Sequence, residues 1–203
     1  MVELNNIKLG FNGSLLFDGL SLKVPEGGSL IIKGDSGTGK TTILRLMLGL
    51  VRPQEGKVII DGDVLDRNNI WTKRSVMAYV SQDLSLGQSK VFEFIEEVFT
   101  YRQNRHLYLD RKEATDLTAL FGLSSSILEA SLDDISGGEL QRVAIITSLL
   151  LKRKIYLLDE ITSALDDNLK EAVANHFFNL NATLVIVSHD SVWQGQDIPN
   201  IEL

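Results

Sequence analysis

The chain contains no cysteine, which excludes disulfides and is compatible with a reducing cytoplasm. No apolar run approaches the roughly 20 residues that a membrane span needs. The amino terminus also lacks the basic-then-apolar layout of a secretory signal, so direct membrane insertion is not expected. Positive charge is not in excess: 20 Lys and Arg stand against 27 Asp and Glu, for a formal net charge of −7. That balance argues against a general nucleic-acid or anionic-lipid surface, and any membrane association is expected to come through a protein partner. No internal repeat, low-complexity tract or long linker interrupts the sequence. Its 203 residues amount to one domain with ample length for a core.

What is present concentrates in a few segments. Gly34-Asp35-Ser36-Gly37-Thr38-Gly39-Lys40-Thr41 matches the phosphate-loop pattern G-x-x-x-x-G-K-[ST]. The apolar run Leu30-Ile31-Ile32 before it reads as a buried strand, and Thr41 to Leu50 after it reads as a helix that Gly49 and Arg52-Pro53 stop. Glycines let the backbone curl around an anion, and the helix end adds partial positive charge. Lys40 is then placed for the β- and γ-phosphates and the Thr41 hydroxyl for Mg²⁺; Thr42 completes the set of candidate contacts. A Gly-rich turn that carries a lysine by chance would produce this pattern in only about one in a hundred chains of this length.

Two further apolar runs end in polar residues. Lys154-Ile155-Tyr156-Leu157-Leu158 leads into Asp159-Glu160, and Thr183-Leu184-Val185-Ile186-Val187 leads into Ser188-His189-Asp190. Ligands of open α/β sheets bind at the carboxyl ends of strands, so both ends are expected beside the phosphates. Asp159 is the candidate Mg²⁺ ligand and Glu160 the candidate general base for an attacking water. His189 is the candidate donor to the γ-phosphate, whereas His106 and His176 read as structural histidines. Ser136-Gly137-Gly138 opens a helix from Glu139 to Leu151, which makes a second anion-binding helix end, or simply a serine N-cap with a tight glycine turn.

Taken in order, Gly34–Thr41, Ile135-Ser136-Gly137-Gly138-Glu139-Leu140-Gln141-Arg142, Ile155–Glu160 and His189 resemble the motifs of the ATP-binding cassette (ABC) ATPases over essentially the whole chain. The resemblance implies ATP and Mg²⁺ as ligands. It makes Gln82, after Val80-Ser81, a further Mg²⁺ and water ligand, and Ser163-Ala164-Leu165-Asp166 the D-loop. Phe11 falls where the family stacks an aromatic ring on adenine, although its parity with Ile7 and Leu9 supports a simple core role almost as well. Ser136, Gly137, Gly138 and Glu139 would bind the ATP held by a second copy of the chain, closing a head-to-tail dimer. The implied partner is a transmembrane transporter subunit, with this chain cytoplasmic and peripheral on the inner face of the membrane. A soluble cassette on a cytosolic scaffold, as in iron–sulfur cluster assembly, is the alternative. DNA-repair or chromosome-structure cassettes would need long coiled-coil insertions, and translation-factor relatives carry two cassettes.

The expected fold is α/β: a P-loop NTPase with a RecA-like parallel core, an antiparallel β layer and an inserted helical subdomain. Residues 1–82 and 136–203 form the core and β layer, with hairpins at Asn12-Gly13 (flanked by Val2 to Phe11 and Ser14 to Phe17) and at Asp61-Gly62. Residues 83–135 form the helical part, whose Leu84, Leu86 and Phe92 are candidates for docking a membrane subunit. There Arg102, Arg105, Arg111 and Lys112, among Glu96, Glu97, Asp110 and Glu113, read as solvated helix faces. Several positions depart from the family. Ile135 opens the signature in place of leucine, and Thr147 and Arg153 replace an arginine and a proline, with local stability effects expected. Ile161 stands where proline is commonest, so a looser turn is expected. The string Asp159-Glu160-Ile161-Thr162-Ser163-Ala164-Leu165-Asp166 resembles small bacterial ATPases of the YbbL-type and iron-export branch, which tilts the expectation toward export of a metal or small solute. The sequence stops soon after His189, so regulation through a carboxyl-terminal extension is not expected.

Overall fold

The computed structural model describes residues 1–194 and 198–203. Strand β1 (Val2–Phe11) and strand β2 (Ser14–Val24) form a hairpin in which Asn12 and Gly13 both adopt positive φ, 50° and 81°. That is the conformation an Asn-Gly turn supplies at low cost. β2 runs well past Phe17, because Gly19, at φ 81°, bulges the strand without ending it. β1 also pairs antiparallel with β4 (Glu55–Ile60), which turns at Asp61-Gly62 into β5 (Asp63–Val64). The result is a four-stranded antiparallel sheet in the order β2-β1-β4-β5.

The second sheet is parallel. It orders β6 (Met77–Val80), β7 (Ile155–Asp159), β8 (Thr183–Val187), β3 (Ser29–Lys33) and β9 (Asn200–Glu202) as β6-β7-β8-β3-β9. Successive residues of a strand face opposite sides, and here both sides are apolar. Leu30, Ile32, Ile155, Leu157, Val185 and Val187 join one core cluster with the antiparallel sheet and helix α1 (Lys40–Met47). Ile31, Tyr156, Leu158, Leu184 and Ile186 join the other, against α3 (Val91–Thr100), α4 (Arg111–Leu120), α5 (Gly137–Leu150) and α6 (Asp167–Phe178). Continuous apolar strands are what a parallel sheet covered on both faces requires. Helix α2 (Ile70–Arg74) precedes β6. Among the described residues no helix is long and apolar enough to cross a membrane.

Helix α1 is shorter than its apolar pattern. Leu48 caps it, Gly49 turns out at φ 63°, and Leu50 N and Val51 N both donate to Arg45 O, while Arg74 Nε donates to the freed Leu48 carbonyl at 2.8 Å. In the 83–135 segment, Arg102 and Arg105 sit in the loop between α3 and α4, not on a helix face. Arg111 reaches Glu129 and lies 4.2 Å above the Phe92 ring, and Lys112 pairs with Asp116. Leu86 and Phe92 are partly buried against the core. His176 is half-buried edge-on to Phe121, whereas His106 is exposed beside Trp71 and so does not have the structural role the sequence implied.

Candidate functional site

The ends of β3, β6, β7 and β8 converge on one cavity of about 750 Å³. Its lining includes Ser36, Gly37, Gly39, Lys40, Thr41 and Thr42 from the loop after β3, Gln82 after β6, Asp159 and Glu160 after β7, and His189 after β8. The parallel register sets Asp159 opposite Val187 and Ile32 opposite Val187 on the other side. Three polar ends thus lie side by side although they are far apart in sequence.

The loop is shaped by its glycines. Gly39 has φ 102°, and a Cβ there would lie 2.6 Å from the Phe17 ring, so no other residue fits. Lys40 reaches back across the loop: its Nζ donates to the Gly34 carbonyl at 2.5 Å and the Asp35 carbonyl at 2.9 Å. Thr38 Oγ1 donates to the Asp35 carbonyl at 2.9 Å. An ammonium held over the loop at the start of α1 suits an anion cradled by backbone N–H groups.

Asp159 is only 2% exposed; its Oδ2 accepts from the Tyr79 hydroxyl at 3.2 Å, and its Oδ1 is buried with no hydrogen-bond partner. A buried acceptor left unpaired is costly in itself and is what a cation ligand looks like before the cation is counted. Thr41 and Gln82 line the same cavity. Among the described residues no cluster of three or more His, Cys, Asp or Glu makes a self-contained metal site. The set therefore fits Mg²⁺, which takes one or two protein ligands and completes its shell with phosphate oxygens and water.

Glu160 adopts φ 52°, unusual for a residue with a side chain. The turn around it is held by Glu160 N donating to Val187 O (2.9 Å), Ser163 Oγ donating to Glu160 O (2.9 Å), and burial of Ile161 at 1% exposure. Ile161 thus restrains by packing a turn that proline would restrain by its ring. Burial pushes the Glu160 carboxyl above its usual range; His189 and Lys40 oppose this and Asp159 reinforces it. His189 Nε2 lies 3.7 Å from Glu160 Oε1.

Phe11 also lines the cavity and is 49% exposed, although Ile7 and Leu9 on the same strand are buried. The residue left unpaired at the register shift between Leu9 and Gly10 is Leu16 on β2, so Phe11 keeps the parity of Ile7 and Leu9, and its exposure comes with its place as the last residue of β1, beside the cavity. The core reading of Phe11 is therefore wrong.

Ser136, Gly137, Gly138 and Glu139 do not line this cavity. Ser136 caps α5, and Glu139 folds back to complete a capping box. A Cβ on Gly137 would meet nothing within 4 Å, and one on Gly138 only the carbonyl of Ala164 at 3.6 Å. Among the described residues, nothing in the packing requires glycine at 137.

Sequence reasoning missed a second layer. Thr162 Oγ1 donates to Asp190 Oδ2 at 2.6 Å, Lys170 Nζ donates to Asp190 Oδ1 at 2.7 Å, and Trp193 Nε1 donates to Thr162 Oγ1 at 3.1 Å. Burial opposes ionisation of Asp190, but the hydrogen bonds from Lys170 and Thr162 outweigh it and hold the carboxyl below its ordinary value. Asp190, next to His189, carried a visible signal. Tyr79, Thr162 and Trp193 gave no functional signal in the sequence.

The family model described as ABC transporter matches residues 17–163. The Fe(3+) ions import ATP-binding protein FbpC of Photorhabdus laumondii is 35% identical over 198 residues, covering 93% of this chain and 54% of the relative. The chain thus spans about half the length of that relative. The ergothioneine transport ATP-binding protein EgtV of Helicobacter pylori is 32% identical, with 94% of this chain and 90% of the relative covered. Among solved structures, the dimeric post-hydrolysis state of the ATP-binding cassette MJ0796 bound to ADP and Pi superposes with a TM-score of 0.81 at 29% identity, covering 96% of this chain and 90% of that one.

Proposed function

The chain belongs to the ABC transporter family, and from that premise we propose that it is an ATP-hydrolysing nucleotide-binding subunit that closes head to tail with a second copy and drives a separate transmembrane subunit. The observation that carries this reading is the convergence of Lys40, Thr41, Gln82, Asp159, Glu160 and His189 on one cavity. Its chemistry is hydrolysis of the β–γ phosphoanhydride. The loop from Gly34 to Thr42 cradles the phosphates, and Lys40 leaves its two carbonyl partners for the γ-phosphate oxygens. Phe11 offers a ring face to adenine. Mg²⁺, held by Thr41, Asp159 and Gln82, would offset negative charge on the phosphates. Glu160 takes a proton from the attacking water; a carboxyl whose affinity for protons is raised by burial is better matched to that task than an ordinary one. His189, lining the same cavity, donates to the γ-phosphate.

The exposed end of α5 gives the dimer its second contact. It lies outside its own cavity, and Gly137 meets open space within its own chain. A glycine there makes sense where the neighbour that comes close belongs to another molecule. The MJ0796 cassette is described as a dimer, which favours the same arrangement. The segment 83–135 is the helical subdomain that faces the membrane partner, and the chain lies on the cytoplasmic face through that partner. Relatives named for iron(III) import and for ergothioneine transport favour a metal ion or small solute as cargo and lend no support to export.

The test is capture of tagged Glu160→Gln protein with ATP and Mg²⁺ from detergent-solubilised cells. A polytopic membrane protein in stoichiometric amount supports the reading. Recovery of soluble scaffold proteins alone would overturn the transporter assignment in favour of a cytosolic assembly ATPase.

A further inference from the structure

The amino-terminal end of α5 already carries an anion. Ser136 N donates to Glu139 Oε2 at 2.8 Å, the Ser136 hydroxyl donates to the same oxygen at 2.7 Å, and Glu139 N donates back to Ser136 Oγ at 3.3 Å. The hydrogen bonds from Ser136 hold the Glu139 carboxyl below its ordinary range, so it is ionised at neutral pH. Arg142, on the next turn, makes its hydrogen bonds elsewhere, its Nε donating to Gly138 O at 3.1 Å and its Nη1 to Phe121 O at 3.3 Å, and only its charge favours the ionised carboxylate. Two donors that would meet an incoming phosphate are therefore committed to a carboxylate. A unit negative charge stands where a second negative group is to land.

Resting on the reading that α5 of one copy meets the nucleotide of the other, the geometry points to Glu139 as an electrostatic brake on closure of the ATP-bound dimer. The γ-phosphate of the facing copy must draw the Ser136 hydroxyl away from Glu139, and it then sits close to a like charge as the interface loses water. Both steps raise the ATP concentration needed for closure and lower the barrier to reopening. The helix itself does not need the charge. A capping box works with glutamine as well as glutamate at this position, so the cap and the charge are separable properties of Glu139. The partial positive charge of the helix end has one resident anion before ATP arrives, and removing that anion leaves it free for phosphate.

The experiment compares Glu160→Gln with Glu160→Gln/Glu139→Gln, full-length, titrating MgATP while following dimerisation by light scattering. The half-maximal ATP concentration is expected to fall about threefold to tenfold in the double variant at low salt, the effect of one nearby charge under solvent screening. The gap between the two proteins should shrink toward 1 M salt, where the screening length is about 3 Å; a change in capping or packing would not respond in that way. An unchanged or raised half-maximal concentration, or a gap indifferent to salt, removes the brake while leaving the dimer intact. If the Glu160→Gln protein binds ATP and never dimerises, the head-to-tail reading falls and takes this inference with it.

Discussion

Replacing Thr162 by valine keeps the volume nearly constant and deletes one hydroxyl. That hydroxyl is fully buried, donates to Asp190 and accepts from the indole of Trp193, itself 0% exposed. Without it, Trp193 Nε1 is a buried donor with no acceptor, at a cost of about 1–3 kcal/mol. Asp190 loses one charge-assisted hydrogen bond but keeps Lys170 and partial contact with water, so roughly 1 kcal/mol is added. The sum, about 2–4 kcal/mol, corresponds to a fall in Tm of roughly 5–15 °C for a chain of this size. The same hydroxyl ties the segment after β7, which carries Glu160, to the segment after β8, which carries His189. Loosening that tie should reduce kcat for ATP about tenfold with KM changed less than about twofold, because a misplaced catalytic group costs rate before it costs binding. Thermal and urea unfolding, together with steady-state ATPase kinetics, read both effects. Thr162→Ser keeps the hydroxyl and should retain most of the stability and the rate. A valine variant within about 1 kcal/mol of the parent and with normal kcat would refute the network argument.

Three further expectations follow from the site. Glu160→Gln should preserve ATP binding and lower kcat by ~10²–10⁴; in the parent, the raised Glu160 value places the acid limb of the kcat–pH profile above the ordinary carboxylate range near 4.3, and an acid limb at or below that value would contradict its role as base. Phe11→Ala should weaken ATP binding roughly tenfold, measured by nucleotide titration, as loss of one base-stacking ring does, with little effect on stability because the ring is half exposed. Gly137→Ala meets no atom within 4 Å among the described residues, so thermal stability and single-subunit nucleotide binding should be unchanged while ATP-driven dimerisation is lost; normal dimerisation by light scattering would count against α5 as the interface.

The phosphate loop, the carboxylates after β7 and the histidine after β8 were legible because each is a local pattern: an apolar run followed by a fixed set of polar residues. The two-hairpin β layer was legible for the same reason, through Asn12-Gly13 and Asp61-Gly62. β9 was not, because three residues on a sheet edge carry too little pattern and its pairing with β3 joins Asn200 to Ile31. Phe11 was ambiguous because it shares the parity of Ile7 and Leu9, and only its place at the strand end, beside the cavity, leaves it exposed.

The sequence alone determined which side chains are on offer for phosphate, cation and water, since each of these needs particular residues at short spacing. Only the tertiary structure decided how those side chains are held. The unpaired Asp159 oxygen, the raised affinity of Glu160 for its proton and the Thr162–Asp190–Trp193 network all arise where segments distant in the chain meet. Burial and hydrogen-bond partnership belong to that meeting, and no local spacing of residues encodes them.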